Sequence, residues 1–275
     1  MTFSPPRWVT PAGAESSPGS CGLLRRVTRM PHISIPAATA TAGQQAEQGA
    51  YLAVPVPTAD RHGPWPGVIL VHDAFGPGDD MQEQADWLAA AGYVALMPDL
   101  FQGRSWVRCV KGVFQQLAAQ RGPVFDRIEA ARTRLADRAD CTGSVGVIGY
   151  CMGGGFALVL AGRPGYDAAS VNYGPLPKNL DEVLGGACPI VASYGGKDTG
   201  LKGAAADLRA AVERVEATAD IKEYPDAGHG FINRLKIPSP LPTLMRIAGV
   251  GYDHDSAADA KRRILAFFDQ HLSRG

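Results

Sequence analysis

The chain has no surplus of charge of either sign: 27 Lys and Arg stand against 27 Asp and Glu, for a formal net charge of zero. No Lys/Arg cluster breaks that balance. The phosphate-neutralising face of a nucleic-acid or membrane-surface binder is therefore missing. Cysteine is sparse as well. Cys21, Cys109, Cys141, Cys151 and Cys188 lie far apart, without the short paired spacings of a zinc site or a secreted disulfide framework. A reducing cytoplasm is the expected home. No unbroken apolar run reaches membrane length either: the one uncharged stretch of that size, residues 141–162, is interrupted by Gly143, Gly146, Gly149 and the run Gly153-Gly154-Gly155.

What is present is ordinary globular composition, 45% hydrophobic and 20% charged, which sets the chain apart from disordered sequences. At 275 residues one α/β domain is the expectation. Residues 1–29 are rich in Pro, Ser, Gly and Thr, lack apolar periodicity and hold no signal-peptide core. They are expected to form a disordered extension, with Met30 a candidate functional start and residues 30–275 the single domain. Patterning begins at Met30-Pro31-His32-Ile33-Ser34-Ile35. Short apolar runs bounded by Gly, Pro or Asp follow at 51–56, 67–72, 93–97, 144–148, 169–173, 189–194 and 221–224, as expected of strands buried on both faces. Between them, Val124, Ile128, Ala131 and Leu135 keep helical spacing, as do Leu201, Ala205, Leu208, Val212 and Val215, and near the end Leu265, Phe268 and Leu272. The alternation predicts an α/β fold in three layers: a mostly parallel, doubly wound sheet of about eight strands with helices on both faces. Ligand sites of such sheets lie beyond the carboxyl ends of the strands.

The stretch Val145-Gly146-Val147-Ile148-Gly149-Tyr150-Cys151-Met152-Gly153-Gly154-Gly155 is a buried strand entering a glycine-dense turn ahead of an apolar helix over 156–161. It matches the nucleophile elbow G-x-Nuc-x-G with cysteine as nucleophile. A strained turn needs the glycines, and a helix starting beneath the sulfur favours thiolate. Read blandly, the same residues are a tight turn around a buried, inert thiol. Two later loops weigh against that: Asp198 follows the strand at 189–194, and His229 follows the strand at 221–224. Cys, Asp, His is the nucleophile, acid, base order of α/β-hydrolases. Asp226 is the rival acid, too close to the histidine in sequence to reach its far ring nitrogen easily. Among the other histidines, His32, His62, His254 and His271 read as solvated or packed, and His72 as a wall residue. The loop His72-Asp73-Ala74-Phe75-Gly76 supplies Ala74 as one oxyanion N–H donor beside that of Met152. Asp73 is placed next to Cys151, with a helix or turn cap as its alternative role.

Gly149-Tyr150-Cys151-Met152-Gly153-Gly154, the Asp198 loop, Gly228-His229-Gly230-Phe231, Pro98-Asp99-Leu100-Phe101 and His72-Asp73-Ala74-Phe75-Gly76 together resemble the dienelactone hydrolases, over most of the chain from about Met30 to Leu272. The resemblance implies an α/β-hydrolase fold, a Cys-His-Asp triad, no metal and no organic cofactor. It also implies an enol lactone substrate from the breakdown of chlorinated aromatics, although many relatives act on other esters. Where well-known members carry a glutamate that restrains the resting thiol, this chain has Asp73, one methylene shorter. They bind the substrate carboxylate with two arginines; the nearest matches, Arg104 and Arg234, are each displaced by one residue. Residues 235–252 exceed what the family needs and are expected to form a lid or a dimer contact.

The expected activity is hydrolysis of a small ester or enol lactone by Cys151, His229 and Asp198 through a thioester. A general carboxylesterase or thioesterase is the alternative, and a non-catalytic redox-sensing thiol protein a further one. The expected partner is a small-molecule ester or lactone, with neither nucleic acid nor membrane, and the assembly a monomer or homodimer.

Overall fold

Strand β3 (Trp65–Val71) and strand β5 (Cys141–Tyr150) lie side by side and parallel at the centre of the sheet. Their apolar side chains alternate between two faces, as the period of two requires. Ile69, Val71, Val145 and Val147 enter one hydrophobic core, while Val68, Leu70, Ile148 and Tyr150 enter another on the opposite side. A strand apolar on both faces must be covered on both, which is why the chain builds helices between its strands.

A computed structural model of the chain describes residues 27–36, 47–234 and 250–272. In it β1 (Val27–Pro36), β2 (Glu47–Pro55), β4 (Val94–Pro98), β6 (Ala168–Asn172), β7 (Ile190–Gly195) and β8 (Ala219–Tyr224) complete an eight-stranded sheet of order β1-β2-β4-β3-β5-β6-β7-β8. From β4 onward all neighbours are parallel; β1 and β2 run antiparallel at one edge. Helices α1 (Asp79–Ala91) and α7 (His254–Leu272) pack residues such as Met81, Leu88, Ile264 and Phe268 into one core. Helices α2 (Trp106–Ala119), α3 (Pro123–Ala136), α4 (Met152–Ala161), α5 (Leu180–Leu184) and α6 (Ala204–Val215) cover the other. This is the expected three-layer architecture. Among the described residues no helix is long and apolar enough to cross a membrane.

Two boundaries differ from the sequence expectation. Strand β1 opens at Val27, three residues ahead of Met30, and the rest of the expected extension, residues 1–26, lies outside the described residues. Helix α4 begins at Met152, so that Gly153, Gly154 and Gly155 are helical where local preference reads a turn. Each glycine costs roughly 1 kcal/mol of intrinsic helix propensity. Packing reverses the preference, because a Cβ on Gly153 would stand 2.1 Å from the carbonyl oxygen of Val71, and one on Gly154 2.7 Å from that of Asn172. Only a helix without side chains on this face can lie so close to the sheet.

The same contact continues back into β5, where a Cβ on Gly149 would meet the Gly153 carbonyl oxygen at 1.9 Å. Gly149→Ala and Gly153→Ala are each expected to destabilise the protein by at least ~2 kcal/mol. Gly112, inside α2, has open space around its missing side chain. Gly112→Ala is expected to stabilise by about 0.5–1 kcal/mol. Urea unfolding of the three variants, followed by circular dichroism, measures these differences; a neutral Gly153→Ala would refute the steric account.

Candidate active site

Cys151 joins β5 to α4 at φ 54°, ψ −119°, a left-handed conformation that a side chain tolerates only when its surroundings enforce it. Here the enforcement is by hydrogen bonds. The Cys151 N–H donates to the Asn172 carbonyl at 3.0 Å, and the Cys151 carbonyl accepts from the N–H groups of Gly154 and Gly155 at 2.9 and 3.3 Å. Asn172 is fixed in turn, its Nδ2 donating to the Gly149 carbonyl and to Ser170 Oγ, each at 3.1 Å. The sulfur thus stands at the amino end of α4, where the helix dipole stabilises negative charge.

Strand β7 ends at Gly195, and Asp198 in the following turn is buried, with 5% of its surface exposed. Its two carboxyl oxygens have separate partners. Oδ1 accepts from the Gly200 N–H at 3.0 Å and so holds its own loop. Oδ2 lies 2.6 Å from His229 Nδ1, so Nδ1 donates and Nε2 is left for the thiol. The ring is also hydrogen-bonded to Cys151, and the edge of Tyr173 packs against it at 5.2 Å between centroids. Burial lowers the affinity of the imidazole for its proton, but the bonds to Asp198 and Cys151 prevail and push it up to about 10.

The remaining candidates divide. Met152 is buried and lines the same cavity as Cys151, and Ala74 is half-buried in the loop after β3. Among the described residues neither the Ala74 nor the Met152 N–H is paired with an internal acceptor. Asp73 is buried and fulfils the turn-cap role, accepting from the Phe75 N–H at 2.8 Å. Burial, with the charge of Asp80, raises its carboxyl to about 7, although backbone hydrogen bonds and the charge of His229 pull it back. His72 is fully buried; Nδ1 lies 2.7 Å from the Asp73 carbonyl, and Nε2 accepts from the Leu100 N–H at 3.1 Å. With both nitrogens held by backbone, and burial lowering its pKa, it is neutral, and it is not among the residues lining the Cys151 cavity. Asp226 is exposed and pairs with Lys197 at 3.1 Å, away from the imidazole that Asp198 holds.

The arginines stay outside. Arg104 is exposed in the turn after β4 and is not among the residues lining the Cys151 cavity. Arg234 is exposed too, its guanidinium 4.4 Å from the centre of the Tyr252 ring. Of the expected lid or dimer segment, residues 235–249 lie outside the described residues. The cavity itself has a volume of about 350 Å³ and is lined by Phe114, Cys151, Tyr173, Leu201, His229 and Val250, among others. Sequence reasoning missed Tyr173, Phe114 and Val250. Tyr173 carries one legible signal, its place just past the carboxyl end of β6.

A parallel sheet of this order, a strained cysteine between strand and helix, and an acid and a histidine on the loops after the last two strands define an α/β-hydrolase. The chain belongs to the dienelactone hydrolase family, whose model matches residues 49–272, and is a hydrolase acting on esters. It is 31% identical over 251 residues to a Yersinia pestis protein named "Putative carboxymethylenebutenolidase", covering 85% of this chain and 87% of that one. To the carboxymethylenebutenolidase of Pseudomonas putida it is 27% identical, with 74% and 85% covered. The crystal structure of a dienelactone hydrolase-like promiscuous phosphotriesterase from metagenomic libraries superposes with a TM-score of 0.71 at 21% identity, covering 90% of this chain and 99% of that one, a likeness of fold.

The position of Asp73 has a consequence for stability. The folded carboxyl keeps its proton up to about pH 7, whereas an exposed one releases it near 3.8. Between those values the native state binds more protons than the unfolded state, so stability falls as pH rises. Asp73→Asn removes that loss. The variant is expected to exceed wild type by on the order of 4 kcal/mol at pH 8, with the difference closing towards pH 4. Urea midpoints at pH 4, 6 and 8 test this, and a difference independent of pH would contradict it.

Proposed function

We propose that this hydrolase cleaves a small ester or enol lactone through Cys151 as nucleophile, His229 as general acid and base, and Asp198 as the group that orients and charges the imidazole. The observation that carries the reading is the 2.6 Å contact of Asp198 with His229 Nδ1, in the cavity that the strained Cys151 also lines. The thiolate forms a C–S bond to the ester carbonyl carbon, and the carbonyl π electrons move to oxygen, between the N–H groups of Ala74 and Met152. As the C=O bond re-forms, the C–O bond to the leaving group breaks, and the imidazolium gives its Nε2 proton to the departing alkoxide or enolate. The acyl group is then held as a thioester. Water attacks that carbonyl as His229 takes its proton, the C–S bond breaks, and acid and thiolate are released.

The names borne by the curated relatives support an enol lactone among the substrates, and a thiol nucleophile suits a leaving group of that acidity. The cavity lining is largely apolar and includes no arginine among the described residues. Recognition on this reading rests on the ester group and its apolar parts, and Arg104 and Arg234 take no share in it.

Cys151→Ala is expected to lose aryl acetate and lactone hydrolysis by a factor of about 10³ or more; activity retained in that variant would refute the nucleophile. Asp198→Asn is expected to lower kcat at least about a hundredfold. Wild-type kcat/KM is expected to decline as pH approaches about 10, where His229 loses the proton it hands to the leaving group. In Asp198→Asn that decline shifts to lower pH. An unmoved basic limb in the pH–rate profile would separate Asp198 from the imidazole.

A further inference from the structure

Beside the Cys151 cavity lies a second one, of about 450 Å³, and the two share Phe114 and Pro175 as walls. One stripe of α4 floors both. Met152 belongs to the first cavity, Gly155 and Val159 to the second, at helical spacings of three and four residues. At 1.5 Å per residue that stripe runs about 10 Å away from the sulfur. Leu117 and Ala118 of α2 form the opposite side, and Leu176 and Pro177 of the loop after β6 close it. Gly155 lets Leu117 and Pro175 close in on α4, since a Cβ there would stand 2.9 Å from Leu117 Cδ2 and 3.0 Å from Pro175 Cγ. The lining is apolar until Gln120, Lys178 and Asn179 at its edge. None of these wall residues is used by the ester-cleaving step.

Resting on the reading of Cys151 as nucleophile, we propose that this gallery is a substrate subsite: it takes an unbranched apolar chain, of the hexanoyl to octanoyl class, attached to the ester being cleaved. A carbonyl held at Cys151 projects such a chain past Phe114 and Pro175 along α4. Each methylene that leaves water there contributes favourably to binding, so chain length is read as rate. The chain belongs to the acyl or to the alcohol side of the ester, and the two sides are separable by experiment.

Two series test this: p-nitrophenyl esters of acetate through octanoate, and acetates of ethanol through octanol. In one of them kcat/KM is expected to rise at least about tenfold with chain length. Ala118→Trp, at an exposed helical position, and Leu176→Trp, in a loop, fill the gallery and are expected to abolish that rise while leaving the shortest ester within twofold. Flat profiles in both series, or Trp variants that keep the rise, overturn the subsite. Octanoate binding measured by calorimetry needs no turnover, and is expected to weaken at least about tenfold in both Trp variants. If Cys151→Ala still cleaves the shortest ester but octanoate binds and is displaced in this way, the nucleophile assignment fails and the subsite stands. If octanoate binds all forms equally or not at all, the subsite fails.

Discussion

Between β5 and α4 the chain turns through one residue, and that residue is Cys151, held at positive φ by backbone hydrogen bonds to Asn172, Gly154 and Gly155. The turn is tight because the helix that follows lies nearly against the sheet. No side chain fits at Gly149, Gly153 or Gly154 without meeting a carbonyl oxygen. Holding such a residue costs on the order of 1–3 kcal/mol, and the packing of a fully buried helix on the two central strands offsets it. The sulfur is presented where the amino end of α4 meets the carboxyl ends of the central parallel strands.

Much of this was legible in the sequence because it depends on local rules. Glycines at 149 and 153 have no other purpose at a strand–helix junction, and buried strands announce themselves as short apolar runs. Asp198 and His229 follow from topology, since loops after late parallel strands open on the same rim. Other features depend on packing between distant segments. The helical state of residues 153–155 contradicts propensity and follows only from their distance to Val71 and Asn172. Phe114 and Val250 face the cavity from elements whose docking no pattern predicts, and Arg104, which matches a family position to within one residue, faces solvent. A shift of one residue in a turn redirects a side chain altogether.

Charge around the imidazole is arranged so that few negative groups compete for it. Asp198 Oδ2 lies on Nδ1, and Cys151 bonds to the same ring. Asp73 is the third acid within the field of His229, and burial beside Asp80 keeps its proton in place up to about pH 7. Its Oδ1 is already committed to the Phe75 N–H, and its stem is one methylene shorter than the glutamate of well-known family members. A neutral, turn-bound carboxyl does not neutralise the imidazolium.

The same economy of charge bears on what the site can recognise. Arg104 and Arg234 lie outside the cavity, and the lining runs instead through Phe114, Leu201 and Val250. Among the described residues the cavity lining holds no guanidinium or ammonium group, and its basic side chain is that of His229. Apolar parts of an ester gain by leaving water among aliphatic and aromatic side chains, and on the proposed mechanism the charge that develops on the carbonyl oxygen is met by the backbone N–H groups of Ala74 and Met152. On the proposed reading, selectivity follows shape more than electrostatics, through the residues of α2, α4 and the loop after β6 that wall the neighbouring gallery.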